Sequence, residues 1–71
     1  MKVIESPIAG KVIEILVEVG QNVAEDDEVI ILEAMKMENP IYAPENGVVK
    51  EIKVEVGQQV AEGEILIVLE D

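Results

Sequence analysis

The chain contains no cysteine, no histidine and no arginine, and Tyr42 is its only aromatic residue. Each absence closes off a class of function. Without cysteine there is no disulfide to staple the fold and no thiolate to attack a substrate or hold a metal. Without histidine the usual acid/base of neutral pH is missing. Ser6 is the sole serine, so these residues assemble neither a nucleophilic triad nor a metal centre. Positive charge is scarce too: five lysines stand against sixteen acidic residues, a net charge of −11. A binder of phosphate backbones carries a basic stripe, and an anionic membrane surface asks for the same, so the charge argues against both partners. No apolar run approaches the roughly 20 residues of a membrane span. The opening MKVIESP has no apolar signal-peptide core. The expectation is a folded, non-catalytic, cytoplasmic module, monomeric as an isolated domain.

What is present is aliphatic and β-branched. Twelve valines and ten isoleucines against four leucines favour strands over helices. Seventy-one residues make one small domain, 1–71, near the lower end of what folds unaided. The chain is also a repeat. Shifted by 37 residues, segment 6–33 falls on segment 43–70 without a gap, and 16 of the 28 aligned positions are identical. Pro7 and Pro44, Gly10 and Gly47, and Gly20 and Gly57 coincide, and the run Val17–Gln21 recurs as Val54–Gln58. Two copies are too few for a solenoid and imply a pseudo-two-fold domain. In each copy a Pro-x-x-Gly turn precedes a strand. Ile52, Val54 and Val56 alternate with charged residues in the period-2 pattern of a half-buried strand. Turns follow at Gly20 and Gly57 and again at Ala24–Asp27 and Ala61–Glu64. Asp26 matches Gly63, and both types tolerate a left-handed backbone. The pattern predicts an all-β fold of eight short strands in two antiparallel sheets packed face to face.

Between the copies lies Glu33-Ala34-Met35-Lys36-Met37-Glu38, with Lys36 at the midpoint of the chain. Strands 29–33 and 38–42 flank it, so it is a hairpin with its tip at 34–37. A two-residue hairpin turn asks for Asn-Gly or Gly-x, because its central residues need positive φ. Met-Lys offers neither. A chain that obeys local rules elsewhere and breaks one at a projecting tip marks a site. By the pseudo-symmetry, the chain termini lie away from this tip.

The segment Glu33–Glu38 resembles the attachment motif of biotinyl domains, the biotin carboxyl carrier proteins of carboxylases, transcarboxylases and biotin-dependent decarboxylases. The resemblance covers nearly the whole chain, including both Pro-x-x-Gly turns and the turns at Gly20 and Gly57, and Ala-Met-Lys-Met is its specific core. It implies a flattened eight-stranded barrel-sandwich hybrid of two four-stranded sheets. It implies covalent biotin on Lys36, carried as a swinging arm between biotin carboxylase and carboxyltransferase, after attachment by a biotin protein ligase. The halves align without insertion, so it implies a version lacking the extra "thumb" loop of some bacterial carriers. No Ala/Pro-rich leader precedes the motif, and both a free-standing carrier and a domain of a longer subunit fit. Met35 and Met37 have two readings: soft contacts for partner enzymes, or packing that holds the tip against Pro40 or Pro44. Ala34, Glu33 and Glu38 have recognition roles in the first reading, while the two glutamates are solvated strand ends in the second.

Two rivals share the fold. A lipoyl-type acyl carrier also bears a hairpin lysine but typically reads Asp-Lys-Ala there. An unmodified barrel-sandwich module, a structural spacer, has no use for Ala-Met-Lys-Met.

Overall fold

Alternating valine and isoleucine draw the chain into eight strands in a computed structural model that describes residues 2–70. Met1 and Asp71, the ends of the expected 1–71 domain, lie outside the described residues. In chain order the strands are β1 (Lys2–Glu5), β2 (Gly10–Ile15), β3 (Asn22–Val23), β4 (Glu28–Ala34), β5 (Met37–Tyr42), β6 (Gly47–Ile52), β7 (Gln59–Val60) and β8 (Ile65–Glu70). They form two four-stranded antiparallel sheets, ordered β1-β8-β6-β3 and β5-β4-β2-β7. Adding 37 to the residue numbers of the first half turns one order into the other, so the sequence repeat is the symmetry of the fold. Each sheet takes two strands from each half: β8 of the second half pairs with β1 of the first, and β7 with β2. The β-bulges repeat as well, at Val12/Glu14 in β2 and at Val49/Glu51 in β6.

The core lies between the sheets and is aliphatic. Val12, Val29, Ile30, Leu32, Val49, Leu66, Ile67 and Leu69 are fully buried. Tyr42 is half exposed and takes no part in it. The period-2 reading of the chain around Val54 overshoots. Strand β6 ends at Ile52, and Val56 is 62% exposed, as is its counterpart Val19 at 64%. The repeated Glu-Val-Gly-Gln is a turn. Gln58 N–H donates to the Glu55 carbonyl while the Gln58 side-chain oxygen accepts from Glu55 N–H, and Gln21 does the same to Glu18. Gly20 and Gly57 hold φ of 92° and 94° in these turns, a region costly to any residue with a Cβ. Asp26 takes φ 73° where its counterpart Gly63 takes 86°. Its turn is closed by Asp27, whose carboxylate accepts from Ala24 N–H.

Among the described residues, no helix is long and apolar enough to cross a membrane. The molecule measures 33 × 18 × 18 Å. The strand ends at the termini adjoin 45–46, where Lys2 pairs with Glu45 at 3.4 Å and donates to the Asn46 carbonyl. The Lys36 hairpin adjoins residues 7–9 and 62. These two regions exchange under the pseudo-symmetry, so the tip stands apart from the termini.

The lysine hairpin as candidate functional site

Strands β4 and β5 zip together to within two residues of each other. The last rungs of the ladder are Leu32↔Asn39, Glu33↔Glu38 and Ala34↔Met37. Both strands are therefore longer at the tip than the apolar pattern alone indicates. The loop left over is Met35-Lys36, with φ of 55° and 64°. Positive φ at both central residues is the primed hairpin turn that matches the twist of paired strands. Here it is built without glycine or asparagine, which costs about 1–2 kcal/mol per residue. Lys36 is exposed, and among the described residues it has no hydrogen-bond or ion-pair partner. An amine with no partner among the described residues, at the end of a two-stranded ribbon, is open to an incoming reagent.

Two neighbours fix the ribbon's base. Gly10 of β2 lies so close to β4 that a Cβ there would meet the Glu33 carbonyl oxygen at 2.8 Å. Asn39 donates its side-chain amide to the Met37 carbonyl two residues back, bracing the start of β5 after the tip. Pro40 also lies on this edge strand, where a missing N–H leaves no ladder bond unmade and blunts pairing with other chains. A row of charge crosses the sheet below the tip: Lys11 faces Glu33, and Glu33 faces Glu38. Like charges directly opposite destabilise a ladder, and Lys11 offsets only the inner one.

Met35 is 93% exposed and Met37 65%. Met35 and Lys36 are both loop residues, so strand alternation does not set where they point. Instead both methionines line a groove of about 390 Å³ beside the tip, with Pro7, Ile8 and Ala9 as its far wall. Pro40 and Pro44 border a different depression, with Tyr42. Such exposure leaves little area for packing. The wall formed by residues 7–9 was missed in the sequence. Its signal is in the repeat: Pro-Ile-Ala here corresponds to Pro44-Glu45-Asn46 in the other half, an apolar stretch against a polar one.

Comparison with known proteins agrees with this geometry. A biotin carboxyl carrier protein from Streptococcus mutans is 50% identical over 38 residues, covering 54% of this chain and 29% of the relative. The gamma subunit of methylmalonyl-CoA decarboxylase from Veillonella parvula is 42% identical over 43 residues, covering 61% and 33% respectively. This chain thus spans about a third of the length of these relatives. The urea carboxylase of Kluyveromyces lactis contains a matching fold, with a TM-score of 0.91 and 32% identity over 97% of this chain and 6% of that one. Residues 2–69 match the family model for biotinyl and lipoyl domains, described as biotin-requiring enzyme, and the chain belongs to that family.

Proposed function

We propose that this chain is a single biotin carboxyl carrier domain, residues 1–71, in which Lys36 bears covalent biotin. The observation that carries the reading is Lys36 itself: an exposed amine without a partner among the described residues, in a two-residue turn that tolerates a backbone cost to present it. The residues fit the group. Lys36 Nζ would hold biotin through an amide to its carboxyl carbon: C–N would form as the C–O bond to an activating phosphate breaks, with the amine proton passing to solvent. The resulting amide removes the charge at the join. When bound, biotin supplies a ureido nitrogen that takes up and releases a carboxyl group. The protein does the positioning. The hairpin holds the arm away from the body, and tethering makes each visit to a partner site intramolecular, so effective concentration replaces affinity.

Recognition falls to Ala34, Met35 and Met37, with Glu33 and Glu38 at the rim. The partners are a biotin protein ligase and the biotin carboxylase and carboxyltransferase sites of a multi-domain or multi-subunit enzyme. A cytoplasmic location goes with this reading, because ligation consumes ATP. The lipoyl alternative shares the family and the fold, and Ala-Met-Lys-Met rather than Asp-Lys-Ala weighs against it.

Incubation with biotin, ATP and a biotin ligase, followed by peptide mapping, tests the proposal. One biotin on Lys36 is expected, with none on Lys36→Ala. Lys36→Arg is equally dead, since a guanidinium stays protonated. Biotin on another lysine, a lipoyl adduct after expression, or no adduct at all would each overturn the reading.

A further inference from the structure

The repeat supplies an internal control for the groove beside the tip. In the second half, residues 44–46 are tied down by polar bonds: Glu45 pairs with Lys2, and the Asn46 side-chain oxygen accepts from Glu25 N–H. In the first half, the same backbone carries Pro7, Ile8 and Ala9. Ser6, standing where the other half has Ala43, donates its hydroxyl to the Ile8 carbonyl and holds that loop in place. An apolar strip has thus been built and fixed at the tip end alone. Met35 and Met37 lie along it, at 93% and 65% exposure. The chain has no cysteine and three methionines, so among the described residues these two hold all the sulfur.

We propose that Met35 and Met37 form a reversible oxidation site, at which a peroxide turns the strip beside Lys36 from apolar to polar and withdraws the tip from the enzymes that grip it. The proposal rests on the reading of Lys36 as biotin acceptor. In the step, a thioether lone pair attacks one peroxide oxygen. An S–O bond forms and the O–O bond breaks. The proton on the transferred oxygen moves to the departing hydroxide, which leaves as water. Sulfur loses two electrons and the peroxide gains them. Sulfoxide reductases reverse the step with a dithiol, which becomes a disulfide as the oxygen leaves in water. Both residues are exposed, so a small peroxide can approach either side chain from solvent. Neither methionine belongs to the buried core, so the fold survives the change that a core methionine would not.

The test treats the full chain with hydrogen peroxide, removes the excess with catalase, and maps added oxygen by peptide mass spectrometry. Biotin acceptance is then measured on reduced, oxidised and reductase-repaired protein. Both methionines are expected to gain one oxygen each. Acceptance falls about tenfold, the order of loss for one unpaired polar group in a contact, repair restores it, and the urea midpoint does not move. The Met35→Leu/Met37→Leu variant, whatever its own rate, shows no response to peroxide. An oxidised chain modified at the reduced rate overturns the proposal, as does an equal peroxide effect on the double variant. If the reduced chain accepts no biotin, it is the acceptor reading that fails. The oxidation site is then judged by the methyl resonances of Ile8 and Ala9, which must shift on oxidation and return on repair.

Discussion

Lys36 is a residue placed against its own backbone preference. Its φ of 64° follows Met35 at 55°, and neither side chain earns that conformation through a local hydrogen bond. The left-handed conformation costs about 1–2 kcal/mol per residue with a Cβ. Glycine removes that cost but adds about 0.5–1 kcal/mol of unfolded-state entropy. The first effect wins, so Lys36→Gly should stabilise the domain by about 1 kcal/mol while abolishing modification. Urea unfolding with intact-mass analysis checks both halves of this. A lower midpoint for Lys36→Gly would mean that the lysine is held for stability. The strained turn at the candidate site was legible because this conflict between turn type and residue type shows in Met-Lys itself. Ile8 and Ala9 were not legible as part of it, because one apolar pair in an aliphatic chain is ordinary. Only its place opposite the methionines gives it meaning.

Strand positions in this chain were readable where the two halves agree and misread where a loop borrows the strand pattern. Val54 is buried and Val56 is not, although both sit in the same alternation. The reason is that the chain leaves the ladder after Ile52 and closes a turn through Gln58. Hydrophobic period alone does not report where hydrogen bonding stops. The hairpin was read one residue short on each strand because Ala34 and Met37 face little of the core, yet pair with each other. The glycines of the two halves are also less alike than their alignment suggests. A Cβ on Gly10 meets the Glu33 carbonyl oxygen at 2.8 Å, whereas on Gly47 the nearest atoms, the Glu70 carbonyl oxygen and the Leu69 side chain, lie at 3.3 Å. Backbone must move in the first case, and a small shift suffices in the second. Gly10→Ala should therefore cost about 1–3 kcal/mol and Gly47→Ala less. Because β4 carries the tip, Gly10→Ala should also slow biotin acceptance. Equal urea midpoints for the two variants would show that the close β2–β4 approach is not what seats the hairpin.

The whole molecule is interlocked, each sheet drawing strands from both halves, so neither half has a core to itself and unfolding should be all-or-none. Against this compact body stands its charge. Five lysines and sixteen acidic residues leave −11 on a particle 33 × 18 × 18 Å. The ion pairs Lys2–Glu45 at 3.4 Å and Lys53–Glu51 at 3.0 Å lie at the surface, with only Lys2 partly covered, and surface pairs of this kind contribute about 0–1 kcal/mol. Two like charges about 10 Å apart in water repel by about 0.4 kcal/mol. An excess of eleven negative charges makes many such pairs, and chain expansion on unfolding relieves only part of each. At low ionic strength this repulsion acts on the folded state, and salt near 0.1 M cuts its range to about 10 Å. The same surface suits a carrier that must visit partner sites without sticking, since high net charge opposes self-association. Sodium chloride should therefore stabilise the domain by about 1 kcal/mol between very low and moderate ionic strength. The experiment uses urea, which adds no ions, and chloride rather than sulfate, which strengthens burial by its own exclusion from the surface. A midpoint that falls as salt is added would mean that attraction between opposite surface charges outweighs the repulsion, and that the acidic surface is not a burden on the fold.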